Sequence, residues 1–140
     1  MPVLPSVADS FTRRMPRFVN AKNHAITDRV TTGAFLFAAM VFWRRNRRAA
    51  VGALTCGALE LALNSLTDYP GGVAKLISFP GHGKLEVGLA GLTATMPELL
   101  NFHRDSERTF FLVQAGIMTA NTNLTNFQRP KLVIARKRRA

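Results

Sequence analysis

The sequence is poor in cysteine, in acidic residues and in recognisable catalytic motifs. Its 140 residues include one cysteine, Cys56, which excludes an intramolecular disulfide framework and a zinc site built from cysteines. Cys56 falls in an apolar run and is expected to be a buried, inert thiol. The chain has no glycine-rich phosphate loop, no ordered Ser/His/Asp set and no Cys/His dyad. The sequence therefore predicts no enzyme, no cofactor and no identifiable small-molecule substrate.

Acidic residues are few, and the basic residues are unevenly placed. The sequence has eight acidic residues and 19 Lys and Arg, which gives a formal net charge of +11. Four arginines lie within 44–48 and six basic residues within 129–139, and between these patches there are long stretches with almost no charge. Such segregation is expected of a chain that crosses lipid, since a charge at the bilayer centre costs on the order of 3 kcal/mol or more. Because the patches flank apolar runs directly, lipid headgroups are favoured over nucleic acid as the partner of the basic residues.

The pattern of apolar residues predicts an all-α fold, a four-helix transmembrane bundle. The helices are drawn at about His24–Trp43, Ala49–Leu66, His82–Phe102 and Glu107–Phe127, each near the ~20 residues that a membrane span needs. Three domains follow: a polar, basic N-terminal tail (1–23), a membrane domain (24–127) and a basic C-terminal tail (128–140). Between the second and third helices we expect a turn at Thr67–Gly72, a short amphipathic segment at Val73–Phe79 and a break at Pro80-Gly81.

A soluble helical bundle is the alternative, because polar residues interrupt each predicted helix. The second helix holds Glu60 and Asn64, and the fourth holds several amides. However, Val30–Trp43 and Val51–Leu63 contain too few polar side chains for an amphipathic helix, which should show a polar residue at every turn. The membrane interpretation is therefore favoured.

The two halves of the chain align without a gap at an offset of 58 residues. His24 then matches His82, Asp28 matches Glu86 and Leu66 matches Leu124. The alignment predicts two tandem helical-hairpin repeats, 24–69 and 82–127. Since each repeat contains two helices, both would enter the membrane from the same side, related by a pseudo-two-fold axis along the membrane normal. The two His/acid pairs would lie at one depth, on opposite sides of that axis.

Each repeat begins with a His-x-x-x-acid pair, the strongest chemical signal in the sequence. Residues four apart share a helix face, so His24 can reach Asp28 and His82 can reach Glu86. Two imidazoles and two carboxylates are plausible ligands for zinc or iron, so His24, Asp28, His82 and Glu86 are the candidate metal ligands. A b-type haem held between the histidines is a related hypothesis. The favoured interpretation is structural, with a His–carboxylate hydrogen bond stabilising the start of each helix.

Glu60 and Asn64 are the candidate polar residues within the membrane. An ionisable group inside an apolar helix suggests a proton or cation site. The alternative, which is favoured, is a polar contact that holds helices together, with Asn64, Asn121 or Asn123 as the partner of Glu60.

Each half resembles the bacterial SPW-repeat membrane proteins, in which a helix opens with His-x-x-x-Asp and closes near Ser-Pro-Trp. The opening motif reads His-Ala-Ile-Thr-Asp at 24–28 and His-Gly-Lys-Leu-Glu at 82–86. At the Ser-Pro-Trp position the chain has Ala-Ala-Met at 38–40 and Met-Pro-Glu at 96–98, so only one proline is kept. The resemblance covers about residues 24–127 and implies a multi-pass membrane protein without an assigned activity.

The sequence thus predicts a small multi-pass protein of the bacterial inner membrane with a structural or interaction role. The basic segments at both ends favour cytoplasmic termini, and the Gly- and Ala-rich second helix is suited to forming a homo-oligomer. Two alternatives stay open: a metal- or haem-binding membrane protein that uses His24 and His82, and a soluble, basic, helical nucleic-acid-binding protein.

Overall fold

The computed structural model describes residues 16–128, which form four α-helices and no strand longer than an isolated bridge. The helices are α1 (Ala21–Phe42), α2 (Arg47–Leu66), α3 (Phe79–Leu99) and α4 (Arg108–Leu124). Most of the predicted N-terminal tail and nearly all of the predicted C-terminal tail lie outside the described residues. The all-helical prediction is confirmed, and each predicted helix is present with ends shifted by up to three residues.

The link between α2 and α3 differs from the prediction. Phe79, expected at the end of the amphipathic segment, belongs to α3, which leaves a segment of residues 73–78 that is not helical. Its backbone instead bonds to the end of α2: the N–H groups of Val73 and Ala74 donate to Ser65, and those of Leu76 and Ile77 donate to Leu66. The segment thereby satisfies carbonyls that the last turn of a helix leaves without partners, which holds it against the end of α2.

The Pro80-Gly81 pair does not break the chain but lies in the first turn of α3. Proline is compatible with this position because the first N–H groups of a helix have no intrahelical partner. Ser78 caps the helix, its Oγ accepting from the Gly81 N–H at 3.1 Å. At the other end, α3 finishes at Leu99, soon after Pro97, and Asn101 takes a left-handed conformation (φ +56°) that ends the helix.

Contacts around the starts of α1 and α3 correspond at an offset of 58 residues. Asn20 caps α1 through Asn23 as Ser78 caps α3 through Gly81. The Val19 N–H, just before α1, donates to Leu124 at the end of α4. The Ile77 N–H, just before α3, donates to Leu66 at the end of α2, so each bond reaches the end of the other hairpin. The starts of α1 and α3 and the ends of α2 and α4 therefore meet at one end of the bundle.

The helices pack as two hairpins, α1 on α2 and α3 on α4, joined through α2–α3 and α1–α4 contacts. Small residues allow this approach: a Cβ added at Gly52 would lie 2.8 Å from Met96 Cγ. Helix α2 has seven glycine and alanine residues, and five of them are buried within the chain, namely Ala49, Ala50, Gly52, Ala53 and Gly57. Those five pack the monomer, so most of the surface expected to carry self-association is already covered.

The outer surface is apolar and the interior holds many polar groups. Exposed large apolar side chains occur on every helix, among them Phe37 on α1, Leu54 on α2, Val87 on α3 and Ile117 on α4. Within residues 30–43, 49–67, 85–97 and 109–128 the only charged residues are Glu60 and Glu86, and both are buried. By length and composition α1 and α2 are each suited to crossing a bilayer, a test that α3 and α4 do not meet.

Candidate metal centre

Four polar side chains from the N-terminal halves of α1 and α3 meet inside the bundle. His24 and Asp28 come from α1, and His82 and Glu86 come from α3; all four are at most 1% exposed. The i,i+4 spacing places each pair on one helix face, and the crossing of the two helix starts turns these faces toward each other. The structure thus brings all four candidate ligands together.

Contacts between the helices are shorter than contacts within them. His24 Nε2 lies 3.1 Å from His82 Nε2 and 3.0 Å from Glu86 Oε2, and His82 Nε2 lies 3.2 Å from Asp28 Oδ2. The pairs within one helix are 3.5 Å for His24–Asp28 and 3.6 Å for His82–Glu86. The two pairs therefore meet face to face, which is compatible with the expected pseudo-two-fold axis passing between them. They do not cap their helices, since Asn20 and Ser78 do so.

Two threonines fix the orientation of the imidazole rings. Thr125 Oγ1 lies 2.7 Å from His24 Nδ1, and Thr67 Oγ1 lies 2.8 Å from His82 Nδ1. Each threonine hydroxyl donates its own proton to the backbone carbonyl four residues earlier, at 2.6 Å. Because that proton is committed, each Oγ1 accepts from the histidine, so Nδ1 carries the hydrogen. In a neutral ring the lone pair is then on Nε2, and both Nε2 atoms point at the same centre.

Further donors hold the two carboxylates. Asp28 accepts from the Tyr69 hydroxyl at 2.9 Å and from Asn121 Nδ2 at 3.1 Å. Glu86 Oε2 accepts from Thr122 Oγ1 at 2.7 Å. Sequence reasoning did not assign these partners to the site. The two threonines that face the histidines were detectable, because Thr67 and Thr125 are themselves 58 residues apart.

Aromatic rings close the site from the end of the bundle. Phe79 and Phe127 pack edge-on to His24, with ring centroids 5.5 and 5.4 Å away, and Tyr69 packs on His82 at 5.2 Å. Gly83 makes room for this wall, since a Cβ there would lie 2.6 Å from Phe127 Cζ. Burial raises the pKa of the Tyr69 phenol above its usual value, and the neighbouring Asp28 carboxylate raises it further. The phenol therefore stays a hydrogen-bond donor to Asp28.

The predicted partners of Glu60 are not found. Glu60 on α2 is fully buried, and neither of its oxygens has a hydrogen-bond partner within residues 16–128. Asn64 instead donates to Thr32 Oγ1 at 3.1 Å and leaves its own oxygen free, while Asn121 donates to Asp28. The structure thus shows no amide contact with Glu60, and both oxygens of this carboxyl group are left without a partner among residues 16–128.

Comparison with protein-family models, with curated proteins and with solved structures finds no match for this chain. The function of the site therefore has to follow from its geometry.

Proposed function

We propose that the protein is an integral membrane protein that binds one divalent transition-metal ion, zinc or iron(II), through His24, His82, Asp28 and Glu86. The observation that carries the proposal is the convergence of two Nε2 lone pairs and two carboxylates, with each Nδ1–H held by a threonine. Hydrogen bonds from the distal ring nitrogen are how proteins orient metal-ligating histidines. The metal-binding alternative is thereby favoured over a purely structural role.

The distances between the candidate ligands suit a small cation. In a tetrahedral site with bonds of 2.0–2.1 Å, ligand atoms lie roughly 3.3 Å apart. The five nitrogen–nitrogen and nitrogen–oxygen separations at the centre run from 3.0 to 3.6 Å. The four ligand atoms all lie within 4.8 Å of one another. A haem does not suit this arrangement, because a porphyrin would have to lie between rings whose Nε2 atoms are in contact.

Charge balance also supports a bound cation. Asp28 and Glu86 are buried carboxylates, and burying a negative charge is costly unless a positive charge accompanies it. Every Lys and Arg among residues 16–128 is exposed, so none supplies that charge. A divalent ion held by two neutral imidazoles and two carboxylates gives a centre with no net charge.

The membrane location is supported by the distribution of side chains. A surface that is apolar around the middle of all four helices is stable in acyl chains but unfavourable in water. Helix α1 has 22 residues, about 33 Å, comparable to the ~30 Å hydrocarbon core. Arg44, Arg45, Arg47 and Arg48 lie at one end of the bundle beside Trp43, as residues at a headgroup boundary do. An apolar surface of this kind gives no support to nucleic-acid binding.

We further propose that the bundle consists of two tandem hairpin repeats that share the metal. The caps, bridges and histidine–threonine contacts that correspond at an offset of 58 residues support this. The resemblance to SPW-repeat proteins is compatible with the multi-pass arrangement but stays a prediction.

Metal content tests the proposal. Protein extracted from membranes with detergent and loaded with Zn²⁺ or Fe²⁺ should keep one ion per chain after gel filtration. Replacing His82 by Gln should remove it, whereas replacing His103 by Gln should not, because His103 lies near the opposite end of the bundle. Wild-type protein that retains no ion, or equal retention by the two variants, would contradict the proposal.

A further inference from the structure

Glu60 is a fully buried acid that the metal centre does not use. It lies on α2, at 0% exposure, and both Oε1 and Oε2 lack a hydrogen-bond donor among residues 16–128. An ionised carboxylate in such a place loses its hydration and gains no hydrogen bond or counter-charge in return, which makes the ionised form unfavourable. A buried acid in this position needs a proton or a cation.

The charges around Glu60 make ionisation still less favourable. Asp28 of α1 and Glu86 of α3 are close enough to repel it, and His82 of α3 would attract it only as an imidazolium ion. On its own helix the neighbouring titratable group is Cys56, and on α4 the sole charged residue is Arg108, at the first position. A divalent ion at the centre would balance Asp28 and Glu86 and leave Glu60 without a counter-charge.

The hydrogen-bonding groups nearby lack a donor. Within the described part of the chain, four buried side-chain polar atoms have no partner, and all four are oxygens: both of Glu60, Asn64 Oδ1 and Gln114 Oε1. Asn64 follows Glu60 by one helical turn, so the two side chains share a face of α2. A hydroxyl on Glu60 is the donor that this set of acceptors lacks, and the Asn64 oxygen is the acceptor one turn away on the same helix face.

We propose that Glu60 is a proton-binding site inside the bundle, distinct from the metal centre, in which a neutral carboxyl group donates its O–H to the amide oxygen of Asn64. The site does not require a bound metal, because the described residues offer Glu60 no partner in the structure without an ion. It is linked to the metal by charge: loss of the proton would add a negative charge near the ion and strengthen metal binding. By thermodynamic reciprocity, the metal would favour loss of the proton to the same extent.

Infrared spectroscopy of the detergent-solubilised, metal-free protein tests the proposal. A protonated carboxyl group has a C=O stretching band well separated from the carboxylate bands. At neutral pH the wild-type protein should show this band, and Glu60→Gln should lack it. Glu98→Gln is the matched control, since Glu98 is exposed near the end of α3 and should leave the band unchanged. The absence of a band that Glu60→Gln removes would overturn the proposal.

Thermal unfolding gives a second readout. When an acid is protonated in the folded protein but ionised in the unfolded chain, the folded protein loses stability as the pH rises above the pKa of the acid in the unfolded chain. Glu60→Gln should therefore match wild type at acidic pH and gain roughly 3 °C or more in Tm at alkaline pH. Glu60→Met, which introduces the residue found 58 positions later at Met118, should behave likewise. If the Tm of the wild type depended on Na⁺ and that of Glu60→Gln did not, Glu60 would bind a monovalent cation and not a proton. That result would contradict the proposal.

Discussion

Thr67 and Thr125 show how single residues outside the ligand set determine what the histidines can do. Each threonine commits its proton to a backbone carbonyl and presents a lone pair to Nδ1 of a histidine. Their sequence separations from those histidines are 15 and 101 residues, so a local pattern does not reveal them. The His-x-x-x-acid pairs were predictable because residues four apart on a helix share a face; their meeting across two helices was not.

Replacing Thr67 by Val should weaken metal binding roughly 10–100-fold, the usual effect of losing a partner of a ligating histidine. Valine keeps the shape but leaves the buried Nδ1–H of His82 without an acceptor. Thr95→Val is the matched control, because the Thr95 hydroxyl also bonds a carbonyl one turn earlier but is exposed and contacts none of the four ligands. Affinity can be measured by competition with a chelator. Equal affinities for the two variants would show that the threonine does not orient the ring.

At the scale of helices, the sequence predicted the number and order of elements because each long apolar run has about the length of a span. The exact ends depended on interactions that hydrophobicity does not encode. Asn20 and Ser78 cap their helices by accepting backbone N–H groups, so both helices begin three residues earlier than predicted. The link at 73–78 is positioned by backbone hydrogen bonds to the end of α2, which its composition does not reveal.

Two glycines in helix interiors should respond oppositely to alanine. At Gly52 an added Cβ would lie 2.8 Å from Met96 and 3.2 Å from Phe111, whereas at Gly116 it would meet nothing within 4 Å. Gly52→Ala should therefore destabilise the bundle by about 1–3 kcal/mol through overpacking. Gly116→Ala should be neutral or stabilising by up to about 1 kcal/mol, because alanine favours helix. Thermal unfolding in detergent measures both, and a larger loss for Gly116→Ala would contradict the packing described.

For the whole molecule, the distribution of charged residues favours a lipid bilayer over water as the surrounding medium. Charged residues lie at the two ends, the middle of the outer surface is apolar, and the buried acids lie within the bundle. The sequence predicted the charge-free stretches but not that Glu60 and Glu86 would point inward together. Burial depends on which helix faces meet, and that follows only from the packing of all four helices.

Cysteine labelling from outside the cell tests whether the bundle spans the membrane with both termini in the cytoplasm. In a chain with Cys56 replaced by Ser, Ala74→Cys and Ser106→Cys place one thiol in an exposed position at each end of the bundle. With cytoplasmic termini, a membrane-impermeant maleimide should label position 106 in intact cells and position 74 only after permeabilisation. Labelling of both positions in intact cells, or recovery of the chain in the soluble fraction, would contradict a membrane-spanning bundle.

The most direct measurement for the central claim is X-ray absorption spectroscopy of the protein loaded with Zn²⁺. A zinc ion held by the four ligands should show a first shell of nitrogen and oxygen atoms at about 2.0–2.1 Å, with the multiple-scattering pattern of two imidazoles. A sulfur contribution at about 2.3 Å, which would implicate Cys56, or a shell without imidazole would contradict a centre built from His24, His82, Asp28 and Glu86.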